Sequence, residues 1–109
     1  MFKVWSKEER LLLRMDALPC VRGEIRKKDH IFLQFTGVVD KQQEELYEMD
    51  IVFRGKGADK FIVRWNVKHT GWCITELDNE MPIEELTQNI GDNLRRLCSY
   101  FESTLNEKY

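Results

Sequence analysis

The chain has 109 residues, of which 42% are hydrophobic and 33% are charged, a composition typical of a folded soluble protein. This length predicts a single domain over residues 1–109 with one core. No apolar run approaches the roughly 20 residues that span a membrane, and the N-terminus does not resemble a signal peptide. Cys20, Cys73 and Cys98 show no CxxC spacing, so we expect a reducing, cytoplasmic location.

The net charge of −2 is unevenly distributed along the chain. Residues 1–30 hold eight Lys/Arg against five Asp/Glu, whereas residues 31–109 hold nine against fourteen. Two acidic clusters stand out: Glu44, Glu45, Glu48 and Asp50, and then Glu76, Asp78, Glu80, Glu84 and Glu85. Phosphate recognition needs a basic face, so this balance disfavours a general polyanion binder. It fits a basic protein partner better, although runs of charge are also typical of plain solvated surface.

The N-terminal segment carries a helix signal. Ser6 is followed three residues later by Glu9, as in a capping box, and Trp5 precedes it. Leu11, Leu12 and Met15 would form the inward face, and the helix would end before Pro19.

The next part of the chain alternates with the period of two that is typical of strands. Residues 21–25 and 31–35 predict a hairpin around the polar KKDH turn, and residues 47–53 predict a third strand. The two glycines of GKGAD indicate a loop before a fourth strand that starts at residue 61.

The stretch FIVRWNVKHTGWCITEL at residues 61–77 holds two of the three Trp, one Cys and one His. A three-residue HTG turn with Gly71 in the left-handed region would complete a hairpin and give the fifth strand. In that register Trp65 lies opposite Thr75, and Trp65 and Cys73 face the core.

A long C-terminal helix is predicted from Pro82 onward, with Glu84 and Glu85 in its first turn. Its apolar stripe has spacings of three and four: Ile83, Leu86, Ile90, Leu94, Leu97, Phe101 and Leu105. The predicted fold class is therefore α+β. It has an N-terminal helix, a five-stranded antiparallel meander and a long C-terminal amphipathic helix packed on one sheet face, as a two-layer sandwich.

We find no sequence pattern that supports catalysis, a metal or a cofactor. His69 and Cys73 are four residues apart across a turn, and no CxxC, HExxH or EF-hand spacing is present. The RGKGAD glycines lack the order of a phosphate-binding loop. We therefore expect a protein that is not an enzyme and needs no cofactor.

The leading hypothesis is a stoichiometric inhibitor of the immunity-protein or antitoxin type, which covers a basic site on a partner protein. Trp72 would be the anchor on the outer sheet face. The charged set would be Glu76, Asp78, Glu80, Glu48 and Asp50.

Three alternatives remain open from the sequence. Arg64, Lys68 and Trp72 on the outer sheet face could bind single-stranded nucleic acid, which is the less favoured ligand. The same face could pack in a homodimer, or the chain could be a small adaptor resembling a secretion chaperone. A membrane partner is not expected.

Overall fold

A computed structural model describes residues 2–7, 9–15, 30–55 and 59–103. The strands are β1 (Phe2–Ser6), β2 (Leu11–Met15), β3 (His30–Val39), β4 (Glu45–Tyr47), β5 (Asp50–Arg54), β6 (Lys60–Asn66), β7 (Gly71–Glu76), β8 (Pro82–Glu85) and β9 (Leu94–Ser99). The helices are α1 (Gln88–Gly91) and a 3-10 turn at Tyr100–Glu102. The described part of the chain is thus nearly all β, and the predicted α+β class is wrong. No helix in these ranges is long and apolar enough to cross a membrane.

The strands form two antiparallel sheets. One has the order β2-β1-β3-β4 and the other the order β8-β7-β6-β5-β9. The prediction of an antiparallel sheet is confirmed, but the five-stranded sheet is built from different strands than expected. β5 to β8 follow one another as a meander, and β9 returns to pair with the free edge of β5.

The predicted N-terminal helix is wrong, because β1 and β2 pair as a hairpin. The capping signal has a different use: the Ser6 hydroxyl accepts a hydrogen bond from the Glu9 backbone amide at 3.3 Å and closes the turn between the strands. Leu11, which was predicted on the inward face of that helix, is 46% exposed. Pairing of β1 with β3 as well as β2 outweighs the short helical pattern.

Residues 47–53, predicted as one strand, are divided between the two sheets. β4 ends at Tyr47 in the first sheet and β5 begins at Asp50 in the second. Met49 lies between them with a φ of 66°, a left-handed conformation that turns the chain from one sheet to the other. The predicted strand at residues 21–25 lies outside the described residues.

The predicted C-terminal helix is also wrong. Its residues form β8, the four-residue α1, β9 and the 3-10 turn. Leu86 and Leu94 of the apolar stripe are buried, but Ile83 and Leu97 are each 46% exposed. The last stripe residue, Leu105, lies outside the described residues.

A close approach at Gly91 explains part of this outcome. A Cβ atom at this position would lie 2.4 Å from Val38 Cγ1 and 2.7 Å from the Val39 carbonyl oxygen. Gly91, the last residue of α1, therefore allows the chain to pass directly against β3 before it enters β9. The antiparallel pairing of β9 with β5 satisfies backbone groups that a longer helix would have paired internally.

The turn between β6 and β7 has four residues, 67–70, and not the three that the sequence predicts. The Asn66 side chain accepts a hydrogen bond from the Lys68 backbone amide at 3.1 Å, which closes this turn. The left-handed residue is Thr70, with a φ of 48°, and Gly71 is the first residue of β7.

The longer turn changes the register. Trp65 lies opposite Trp72 and not opposite Thr75, a shift of three positions. An odd shift moves the side chains of one strand to the other face. Trp65 stays on the same face of β6 as the buried Val63, and Cys73 and Thr75 are the residues that move to the opposite face. Trp65 is 44% exposed because it lies at the hairpin end, beyond the core cluster, and Val67 in the turn is 78% exposed. The predicted core position of Trp65 is therefore wrong, whereas the burial of Cys73 is confirmed.

Both faces of the five-stranded sheet are buried near its centre: Ile51, Ile62 and Thr75 lie on one face, and the core cluster lies against the other. The buried members of the core cluster come from β3, β4, β5, β6, β7, β9 and the segment after β8: Val38, Leu46, Val52, Val63, Ile74, Leu94 and Leu86. Phe61, Trp72 and Ile90 pack against this cluster and are only partly buried.

Candidate protein-binding surface

The end of the β6–β7 hairpin carries a pair of indole rings. Trp65 and Trp72 face each other across the strands, with ring centroids 5.0 Å apart in an edge-to-face arrangement at 76°. Trp72 also contacts the core cluster, so it is held from two sides. Trp65 is supported by Trp72 and remains 44% exposed, which makes it an aromatic group presented to solvent.

Two adjoining clefts flank this hairpin. The first, of about 390 Å³, is lined by Trp72, His69 and the strand β8 from Pro82 to Glu85, among others. The second, of about 490 Å³, is lined by Trp65, Val67 and Met49 among others. Asn66, Cys73 and Pro82 line both clefts. We call the apolar residues around the clefts, Trp65, Val67, Trp72, Pro82 and Ile83, the hairpin surface.

The charged groups that line the two clefts are more acidic than basic. Four carboxylates and two cations are present: Glu48, Glu80, Glu84 and Glu85, and Arg64 and Lys68. Arg64 is partly neutralised, because its Nη1 lies 3.9 Å from Glu80 Oε1, and its Nε donates a hydrogen bond to the Thr75 hydroxyl at 3.1 Å. Glu84 is likewise paired, with Arg54 at 2.6 Å. The hairpin surface therefore combines exposed aromatic and aliphatic groups with two carboxylates, Glu48 and Glu85, that form no ion pair with the described residues.

Glu48 is the half-buried carboxylate of the second cleft. Burial raises the pKa of Glu48 above its ordinary value, and a hydrogen bond from the Gln34 backbone partly opposes this rise. Within the described residues Glu48 forms no ion pair. A partially desolvated carboxylate beside the Trp65 ring is suited to contact a cationic group.

The predicted acidic set does not form one surface. Glu48 and Glu80 line the same cleft as Trp65, but Glu76 and Asp78 line neither cleft and lie exposed at the end of β7 and in the following turn. Trp72, the predicted anchor, lines the first cleft and is half-buried. The more exposed ring is that of its neighbour Trp65.

Asp50 is fully buried and cannot contact a partner from this position. Its Oδ2 accepts hydrogen bonds from the Tyr47 backbone amide at 2.8 Å and from Arg96 Nε at 3.0 Å. We therefore assign Asp50 to the folding of the protein and leave it out of the candidate surface.

The three residues of the nucleic-acid alternative do not share a sheet face. Arg64 lies opposite Cys73, whereas Trp72 lies opposite Trp65, so the two side chains start from opposite faces. Lys68 lies exposed in the turn. Arg64 and Lys68 line a cleft with Trp65, but two of its other lining groups, Glu48 and Glu80, are acidic.

Cys73 and His69 line the same cleft without forming a nucleophile–base pair. No hydrogen bond joins them among the described residues, and burial raises the pKa of the Cys73 thiol, which keeps it protonated. In the same part of the chain, no group of three or more His, Cys, Asp or Glu is arranged to hold a metal ion.

The sequence did contain a signal for Trp65. A four-residue turn would have paired Trp65 directly with Trp72. Directly paired residues lie on the same face of a sheet, where two aromatic rings interact favourably. The predicted three-residue HTG turn instead paired Trp65 with Thr75. Ile83 was not predicted as a surface residue, because it was assigned to the apolar stripe of the C-terminal helix.

Over the residues that the structure describes, the fold and the surface thus define a small, nearly all-β protein with two antiparallel sheets and an aromatic cleft region at one hairpin. The sequence profile of a family described as YopX protein matches residues 2–94, which is most of the chain. The protein therefore belongs to the YopX family. The match covers both sheets up to the first residue of β9 and includes the whole hairpin surface. No curated protein matches the chain.

Proposed function

We propose that this YopX-family protein is a non-catalytic protein-binding module that covers a basic site on a partner, in the manner of a stoichiometric inhibitor. The observation that carries the proposal is the exposed Trp65 ring, which is supported by Trp72 beside a cleft with two carboxylates. Trp is among the residue types that contribute most to binding energy in interfaces. The carboxylates Glu48 and Glu80 would contact cationic side chains of the partner.

The other exposed apolar groups support the same use of the surface. Val67 is 78% exposed, Met81 70% and Ile83 46%, and all three lie in the hairpin turn or in and beside β8. Apolar groups gathered in this way are typical of a contact surface, whereas single exposed ones are ordinary.

The edge strand β8 favours recognition through side chains over the addition of a strand. β8 has four residues, begins with Pro82, which has no amide to donate, and carries Glu84 and Glu85. Its pairing with β7 is interrupted by an irregularity between Ile74 and Thr75. Short, charged, irregular edges that contain proline resist pairing with another chain.

The test is site-specific photo-crosslinking in cells that make the protein. A photoreactive amino acid in place of Val67 should join the protein to one partner, and the same amino acid in place of Leu13 should not. Leu13 is a suitable control because it is an exposed apolar residue on β2, away from the hairpin surface. The joined protein should have a basic surface and a one-to-one stoichiometry.

Affinity for the purified partner then decides the proposal. Trp65→Ala should weaken binding by about 2 kcal/mol or more, the size of an interface hot spot. Leu13→Ala matches Trp65→Ala because both side chains are 44% exposed, and it should leave the affinity unchanged. If the joined molecule is a second copy of the same chain, or if Trp65→Ala binds as well as the unaltered protein, the proposal is wrong.

A further inference from the structure

A second surface lies at the other end of the five-stranded sheet, where an aromatic ring stands between two cations. Phe53 on β5 is the direct neighbour of Lys60 on β6 and of Arg95 on β9. Arg95 Cζ lies 4.9 Å from the centre of the Phe53 ring, and Lys60 Nζ lies 5.8 Å from it. Direct cross-strand neighbours share a face, so the three side chains form one group, which we call the Phe53 platform.

The two cations of the Phe53 platform are available to a ligand. Lys60 and Arg95 are exposed, and neither forms an ion pair with any residue that the structure describes. The next residue along β5 behaves differently, because Arg54 pairs with Glu84 at 2.6 Å. The acidic neighbour in sequence is Asp59, which precedes Lys60, so the cations outnumber the carboxylate beside them.

We propose that the Phe53 platform binds single-stranded nucleic acid, with Lys60 and Arg95 holding backbone phosphates and the Phe53 ring contacting an unpaired base. Proteins that bind single strands combine cations that follow the phosphates with aromatic rings on which bases stack. The Phe53 platform is the accessible end of its sheet face, because the next pair along the same face, Ile51 and Ile62, is buried. Unpaired bases can reach aromatic and cationic groups presented in this way. A duplex hides its bases within the stack and is the poorer ligand.

The Phe53 platform is separate from the hairpin surface. Lys60 begins β6 and Asn66, which lines both clefts, ends it. Six residues of strand cover about 20 Å at roughly 3.3 Å per residue. The inference therefore goes beyond the proposed protein-binding function, and substitutions at either end of β6 test the two independently.

The test uses the full chain and a fluorescent oligothymidylate of about 12 nucleotides, a length within the site size of small single-strand binders. Fluorescence anisotropy should show binding that weakens with added salt. Two phosphate contacts predict a fall in log affinity of about 1.4 for each tenfold rise in salt concentration. The same sequence as a blunt duplex should bind more weakly.

Three variants assign the binding to the platform. Lys60→Glu with Arg95→Glu should lower the affinity at least about tenfold and flatten the salt dependence. Phe53→Leu keeps an apolar side chain but removes the ring, and it should lower the affinity by about tenfold at a nearly unchanged salt dependence. The control is Lys7→Glu with Arg10→Glu, which makes the same change of charge at exposed positions in the turn between β1 and β2, away from the platform.

Several outcomes would overturn the inference. The first is that the oligonucleotide does not bind, and the second is that the control pair weakens binding as much as the platform pair. The third is binding to anionic phospholipid vesicles at an equal phosphate concentration without binding to the oligonucleotide. Circular dichroism of each variant separates loss of binding from loss of folding. If Phe53→Leu fails to fold, the double charge reversal on exposed residues still decides the question.

Discussion

Asp50 and Arg96 form a buried ion pair that joins the two sheets. Arg96 Nε lies 3.0 Å from Asp50 Oδ2, and the arginine side chain is only 14% exposed. Both residues also contact the other sheet: Asp50 accepts a hydrogen bond from the Tyr47 backbone, and the Arg96 backbone amide donates to Asp40 Oδ2 at 2.8 Å. Asp40 directly follows β3 and Tyr47 ends β4, so the two residues of this pair also connect the five-stranded sheet to the other sheet.

Removing the arginine should therefore destabilise the fold strongly. Arg96→Ala leaves the fully buried Asp50 carboxylate without its cation, a change that typically costs about 3–5 kcal/mol. The free energy of unfolding in urea measures this loss. Arg95→Ala is the matched control, because the neighbouring side chain is exposed and loses only its contact with the Phe53 ring, so it should change the stability by no more than about 1 kcal/mol. Equal effects of the two substitutions would contradict the assignment.

The pH dependence of stability should report the burial of Asp50. Burial raises the pKa of Asp50 above its ordinary value of 3.8, although Arg96 opposes the rise. The folded protein then binds more protons at this site than the unfolded chain, so the site loses stability as the pH rises from 3.8 through the raised pKa. Asp50→Asn removes this titration. As the pH rises over this range, the unfolding free energy of the variant should therefore increase relative to that of the unaltered protein. If the two curves of unfolding free energy against pH run parallel, this account is wrong.

Gly91 should not tolerate a side chain. A Cβ atom there would lie 2.7 Å from the Val39 carbonyl oxygen, which belongs to the backbone and cannot rotate away. Gly91→Ala should destabilise the protein by about 1–3 kcal/mol, as overpacking usually does. At Gly71 the nearest atom to an added Cβ is the His69 carbonyl oxygen at 3.9 Å, so Gly71→Ala is the control. Thermal unfolding of the two variants provides the comparison, and a harmless Gly91→Ala would show that β3 does not pass this closely.

The two indoles of the hairpin should be energetically coupled. Edge-to-face aromatic pairs contribute about 0.5–1.5 kcal/mol beyond the burial of their surface. A double-mutant cycle with Trp65→Ala and Trp72→Ala should therefore give a coupling energy in this range from urea unfolding. Trp72→Ala should be the more destabilising single change, because Trp72 also packs against the core cluster. Additive effects of the two substitutions would mean that the rings are not in contact. Such a result would favour the three-residue turn and its register.

The alternating pattern of the sequence predicted several strands correctly and their partners poorly. Residues 31–35 lie in β3, and residues 61–66 and 71–76 form β6 and β7 as a hairpin, as expected from their period of two. The register failed because it depended on the turn. A glycine-centred turn and an asparagine-closed turn are both compatible with these residues, and the choice between them placed Trp72 opposite Trp65 and moved Cys73 and Thr75 to the other face of the sheet.

Helical spacing was the misleading signal. In residues 83–105 the spacing of three and four is regular, yet Leu86 and Leu94 are buried by contacts with residues far away in sequence. A single sequence shows local periodicity but not which distant strand is available for pairing. Gly91, in the middle of the predicted helix, argued against a long one, because glycine is unfavourable in a helix interior; it is the last residue of the four-residue α1.

The sequence by itself determined the absence of a recognisable catalytic or metal-binding motif, the acidic balance of residues 31–109, and the presence of antiparallel strands. These features follow from composition and from the alternation of side chains along single strands. The tertiary structure alone decided which faces are buried, because each face depends on register, and register depends on turns and on distant partners. The tertiary structure buries Asp50 against Arg96, exposes Trp65 in the same cleft as Glu48, and places Phe53 between Lys60 and Arg95.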